Sequence, residues 1–141
     1  MAMRTYGVET KGVAITFSEL EKLILANIDN IRKVVGDTYF EDTDDIDFSK
    51  IADYVSTIDY AFWVSEFEGD LMNEDRTKEL CYFDGDDVAI IELHKDTLYD
   101  KYNNRDEIIL ELKNALKEVG IIVDDEFIEE HFGTINGTYC G

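Results

Sequence analysis

Four side chains could in principle hold a transition metal: Cys81, Cys140, His94 and His131. Zinc sites draw ligands from close pairs such as C-x2–4-C, because one short turn must present two donors to a tetrahedral ion. No two of these four lie within eight residues of each other, so the spacing speaks against zinc. Cys81 falls in an expected strand and reads as a small buried apolar residue. Oxygen donors for calcium are plentiful, and Asp42-Thr43-Asp44-Asp45-Ile46-Asp47 has the outline of an EF-hand loop. Such a loop needs glycine at its sixth position and glutamate at its twelfth. Counted from Asp42, the chain supplies Asp47 and Asp53 instead, so the sharp turn lacks its glycine.

Catalytic patterns are equally thin. Paired carboxylates can exchange protons with a substrate, but with 33 Asp and Glu in the chain, pairs alone select nothing. No G-x-S-x-G marks a nucleophile, and no glycine-rich loop cradles a phosphate. His94 at a strand end and His131 in an acidic segment read as ordinary surface or interface residues. The stretch Gly133-Thr134-Ile135-Asn136-Gly137-Thr138 suits a small-molecule pocket or, more simply, a terminal strand. The expectation is a protein that is not an enzyme and carries no cofactor and no metal.

Charge is where the sequence is unusual. Thirteen Lys and Arg face 33 Asp and Glu, a net charge of −20 over 141 residues. Residues 1–40 hold five basic and five acidic side chains, which leaves eight basic and 28 acidic ones in residues 41–141. The whole surplus therefore follows the first expected helix. Direct nucleic-acid binding is excluded as the usual basic kind, since phosphate contacts need Lys and Arg. Disorder normally couples high charge with few apolar residues, whereas this chain is 45% hydrophobic and 12% aromatic. No apolar run approaches the ~20 residues of a membrane span, the first residues lead into no signal-peptide core, and two cysteines are too few for a disulfide scaffold. A soluble cytoplasmic protein is expected.

The elements that must carry this charge can be read from periodicity. Residues 6–10 and 12–16 form short strands, with Lys11-Gly12 as a possible turn between them. Ser18-Glu19-Leu20-Glu21 has the form of a capping box, and Leu20, Leu23, Ile24, Ile28, Ile31 and Val35 continue one helix to a stop at Gly36. Asp47 or Ser49 caps a shorter helix through Ile51, Tyr54, Val55 and Ile58. Residues 60–67 form a strand that Gly69-Asp70 breaks. Residues 78–83 and 88–93 flank Asp84-Gly85-Asp86-Asp87 as a hairpin. Asn104 caps a second main helix, with Ile108, Ile109, Leu112, Ala115, Leu116 and Val119 inward and Gly120 as its stop. Residues 124–132 give a short acidic helix and 133–140 a terminal strand. The sum is one α+β domain with an antiparallel sheet, two main helices and one or two short ones. Among the aromatic residues, Tyr99 and Tyr102 are as well suited to an interface as to a core.

Three acidic clusters stand out: Asp42, Asp44, Asp45 and Asp47; Asp84, Asp86 and Asp87; and Asp124, Asp125, Glu126, Glu129 and Glu130. On one folded face they could approach the charge density of a nucleic-acid duplex. With the short length, they make the chain resemble phage-encoded inhibitors of bacterial defence, the anti-CRISPR proteins and DNA-mimic antirestriction proteins. The likeness is compositional and covers about the last 100 residues. It implies a basic nucleic-acid-binding partner, a defence nuclease such as a CRISPR effector of the Cas9 type, met by the three clusters. Two other readings stay open: a binding module or sponge for a nucleotide signal, and acidity that serves solubility alone.

Overall fold

The computed structural model describes residues 5–36, 40, 46–72, 78–92 and 105–140. In chain order these form β1 (Thr5–Thr16), α1 (Phe17–Ala26), α2 (Ile28–Val35), α3 (Phe48–Val55), β2 (Ala61–Met72), β3 (Lys78–Glu92), α4 (Arg105–Glu118), α5 (Asp125–His131) and β4 (Phe132–Cys140). The fold is α+β, with a four-stranded antiparallel sheet and five helices among the described residues. Strand order is β1-β3-β2-β4, and the sheet closes into a barrel because β4 pairs with both β2 and β1. No helix among the described residues is long and apolar enough to cross a membrane.

Alternation along each strand sorts side chains onto two faces. Val8, Ala14, Val64, Phe67, Leu71, Val88, Ile90 and Ile135 pack together inside the barrel. Val13, Ile15, Ala89 and Ile91 turn outward and join Leu20, Ile24, Ile31, Tyr54, Leu112 and Leu116 of the helices in a larger core. Tyr54 reaches across that core, and its hydroxyl donates to the Val119 carbonyl at 2.5 Å.

Four strands enclose far less room than the eight that side chains just fill. Glycine on the inward face is what lets the ring close. Gly12 and Gly133 are register partners, and so are Gly69 and Gly137. A Cβ at Gly12 would strike the Ile91 carbonyl oxygen, and one at Gly133 the Met72 carbonyl oxygen. At Gly69 and Gly137 it would meet the Asn136 and Glu68 carbonyls and the Phe67 ring.

Several local expectations are corrected. Lys11-Gly12 is no turn: β1 runs straight through it, because Gly12 fills an inward position of the barrel. Asp84-Gly85-Asp86-Asp87 is no hairpin tip. It lies within β3, where the ladder to β2 continues across it and register shifts between Val64 and Phe67 and between Phe67 and Gly69 absorb the irregularity. Gly69-Asp70 likewise does not end β2, which continues to Met72. Ladder pairing, on both sides at Gly12 and Gly69-Asp70 and to β2 at Asp86, overrides the turn propensity of these residues.

The first helix begins two residues early and divides. Thr16 is its cap, accepting the Glu19 N–H at 3.2 Å, since Thr16-Phe17-Ser18-Glu19 itself has capping-box spacing. Asn27 separates α1 from α2, its Nδ2 donating to the Leu23 carbonyl and its Oδ1 accepting the Ile122 N–H. One asparagine thus breaks a helix in order to hold the segment after α4. Other expectations stand: Asp47 caps α3 and Gly120 follows α4 with a φ of 99°; the short acidic helix expected over 124–132 is α5, with Asp124 as its cap. Asn104, His94 and the Tyr99-Asp100-Lys101-Tyr102 segment lie outside the described residues.

Candidate partner-binding surface

The terminal acidic cluster forms a defined face. Ile128 and His131 are the buried residues of α5, spaced three apart on its inner side. That leaves Asp125, Glu126, Glu129 and Glu130 exposed, arranged as two i,i+4 pairs with Cβ atoms about 5–6 Å apart. Asp124 is exposed too, and its Oδ1 accepts the Phe127 N–H at 2.8 Å. Asp125 meets Lys113 of α4 at 3.0 Å. Such an exposed pair contributes at most about 1 kcal/mol.

Of the other two clusters, Asp47 and Asp87 have described side chains. Asp47 is exposed and accepts the Lys50 N–H at 2.9 Å as the α3 cap. Asp87 accepts the Glu66 N–H at 3.2 Å, steadying the bulge where Glu66 takes a φ of 49°. It therefore has a structural task beyond any binding role. Asp42, Asp44 and Asp45 lie outside the described residues, as do the side chains of Asp84 and Asp86, whose backbone belongs to β3.

The fold adds an acidic site that spacing could not reveal. Asp59, in the turn after α3, meets Glu118 at the end of α4, and the hydrogen bond and charge repulsion between them raise the Glu118 pKa. A raised carboxyl pKa means that the charged form opposes folding, so stability increases as pH falls through the folded value towards 4.5. Glu118→Gln is expected to raise the melting temperature at pH 7 in low salt. That gain should shrink at pH 5, and again in 1 M salt, where the Debye length falls to ~3 Å. Thermal melts across this grid check it, and an unchanged or lower melting temperature at pH 7 contradicts it.

His131 is the clearest correction among the candidate residues: it is buried, at 6% exposure, and not a surface group. Its Nε2 lies 2.6 Å from Glu19 Oε2, its Nδ1 2.8 Å from the Phe127 carbonyl, and its ring stacks on Phe127 at 4.2 Å. Burial alone would lower the His131 pKa. The bonds to Glu19 and Phe127 and the charges of Glu19 and Glu130 outweigh it and raise the pKa. Glu19 is lowered, first by the bond to His131 and further by its charge and by Thr16, against the opposing effect of burial. The His131 contribution is complete below ~6.5 and fades as pH rises through the folded value, while that of Glu19 is present above ~4.5 and fades on acidification. The pair should therefore stabilise most between about pH 4.5 and 6.5. In denaturant titrations the deficit of His131→Gln should be largest in that window and narrow towards pH 9, and a deficit independent of pH would refute the ion pair. The i,i+4 spacing of Phe127 and His131 signals only their own stacking, not the contact with Glu19.

No group of three or more His, Cys, Asp or Glu that could hold a metal occurs among the described residues. The glycine-bearing ending belongs to the barrel, where Gly133 and Gly137 face carbonyl oxygens across the ring rather than open space. The first turn of α1 is a common neighbour of two acidic regions: Glu19 ties it to α5 through His131, and Phe17 touches Phe48, which follows Asp47. Comparison with protein-family models, curated proteins and solved structures finds no match.

Proposed function

We propose that the protein is a non-enzymatic inhibitor that binds a basic, nucleic-acid-binding defence nuclease and fills its nucleic-acid groove with carboxylates. The observation that carries this reading is the outward face of α5. Asp125 to Glu130 span about 7.5 Å at 1.5 Å per residue and present four exposed carboxylates, a mean axial spacing of about 2.5 Å. Duplex DNA carries one phosphate charge per ~1.7 Å of axis. An Arg- and Lys-lined groove that accepts DNA would meet a charge density of the same order there, and its cations would engage these carboxylates through charge-assisted hydrogen bonds, competing with Lys113 for Asp125. The neutral first 40 residues favour this over acidity for solubility alone, since solubility needs no such asymmetry.

The test is capture from a bacterial lysate at low salt on the immobilised protein, with elution along a salt gradient. A basic nucleic-acid-binding protein should be retained and released steeply with salt. Once purified, it should give up bound duplex DNA on addition of this protein. Retention of no such protein, or DNA binding undisturbed by excess inhibitor, overturns the reading.

A further inference from the structure

Three aromatic rings meet at the surface where α1, α3 and β2 converge. The Phe48 and Trp63 centroids are 5.1 Å apart with the rings at 74°, and Phe17 lies 5.2 Å from Phe48 and 6.1 Å from Trp63. Phe17 is buried, yet Phe48 and Trp63 remain 43% and 39% exposed. Aromatic rings carry large apolar area and open π faces, so this is binding capacity that folding has not consumed. Phe48 is the first residue of α3, and Trp63 projects from β2 opposite Ala89 of β3, on the face that turns towards the helices.

Two carboxylates lie near the rings by position in the chain and the sheet, each with one oxygen accepting a backbone N–H. Asp47 immediately precedes Phe48 and is exposed. Asp87 lies two residues along β3 from Ala89, so it shares the sheet face of Trp63 about 6.7 Å further on. The cation of α3, Lys50, lies two residues beyond Phe48, about 200° around the helix.

We propose that this rim takes an arginine side chain of the basic partner. The site rests on the acidic-inhibitor reading and adds a residue type to it. A guanidinium is planar, stacks on aromatic faces and binds carboxylates through two parallel hydrogen bonds, whereas an ammonium is a compact, strongly hydrated point charge. Half-open rings with carboxylates nearby suit the first chemistry better than the second. Arginine, tryptophan and tyrosine also dominate interface hot spots.

Trp63 is the single tryptophan of the chain, so its emission reports on this site alone. The intact protein is titrated in low salt with oligoarginine and oligolysine peptides of equal length. Oligoarginine should change Trp63 emission saturably and bind about fivefold more tightly than oligolysine. Asp47→Asn and Phe48→Ala should each remove most of that preference. Asn caps a helix as well as Asp does, so the first variant stays folded even where the second loses stability. Equal affinity for the two peptides, or an arginine preference that survives both substitutions, overturns the arginine site and leaves the general acidic attraction standing. Binding of neither peptide overturns both.

Discussion

Converting Asp125, Glu126, Glu129 and Glu130 together to Asn and Gln is expected to weaken the displacement of DNA from the partner by about a hundredfold or more. Charge-assisted hydrogen bonds contribute about 1.5–3 kcal/mol each, so two engaged carboxylates already account for two orders of magnitude. The substitutions preserve shape, and Asp124 is left in place to cap α5. Stability should change little. Losing the exposed contact to Lys113 costs less than about 1 kcal/mol, and relieving two like-charge i,i+4 pairs returns about 0.2–0.5 kcal/mol each. DNA-displacement titrations and thermal melts, run on the same preparation, separate the two effects. An amide variant that displaces DNA as well as the parent removes α5 from the interface.

Gly133→Ala is expected to abolish the native fold or to lower its stability by more than the ~1–3 kcal/mol of ordinary overpacking. A core side chain can often shift to admit a methyl group. Here the obstacle is the Met72 carbonyl, held in the β2–β4 ladder, so a strand must move. A whole domain has only about 5–15 kcal/mol of net stability to lose. Gly7→Ala is the matched control, because a Cβ there meets nothing within 4 Å. Denaturant midpoints of the two variants should differ widely. Equal midpoints would mean that the barrel is looser than its backbone contacts imply.

How much of this was legible in the sequence depended on whether a signal was local. Asp47 announces itself as a cap because a cap is a bond between near neighbours. The stripe from Ile108 to Val119 likewise reports a buried helix face without reference to the rest of the chain. Glycine and aspartate misled at Lys11-Gly12, Gly69-Asp70 and Asp84-Gly85-Asp86-Asp87. Turn propensity and the need for close backbone approach select the same residues, and only the closed sheet tells them apart. The contacts of Glu19 with His131 and Asp59 with Glu118 join elements far apart in sequence, and that of Phe48 with Trp63 joins a helix to the strand that follows it. No periodicity within one element could have shown them. The acidic face of α5 was visible as composition, but its outward direction became definite only with Ile128 and His131 beneath it.

The closed ring also governs how the chain can reach its native state. β4, last of the four strands in chain order, supplies two of the four seams and pairs residue 5 with residue 140. While a ribosome is still adding that strand, β1 and β2 each have an edge with unsatisfied amide and carbonyl groups, open to another chain. The acidic residues already synthesised would hold such nascent chains apart through mutual repulsion. Closure then waits on the most distant pairing among the described residues, which places refolding in the slow, millisecond-to-second range of topologies dominated by non-local contacts.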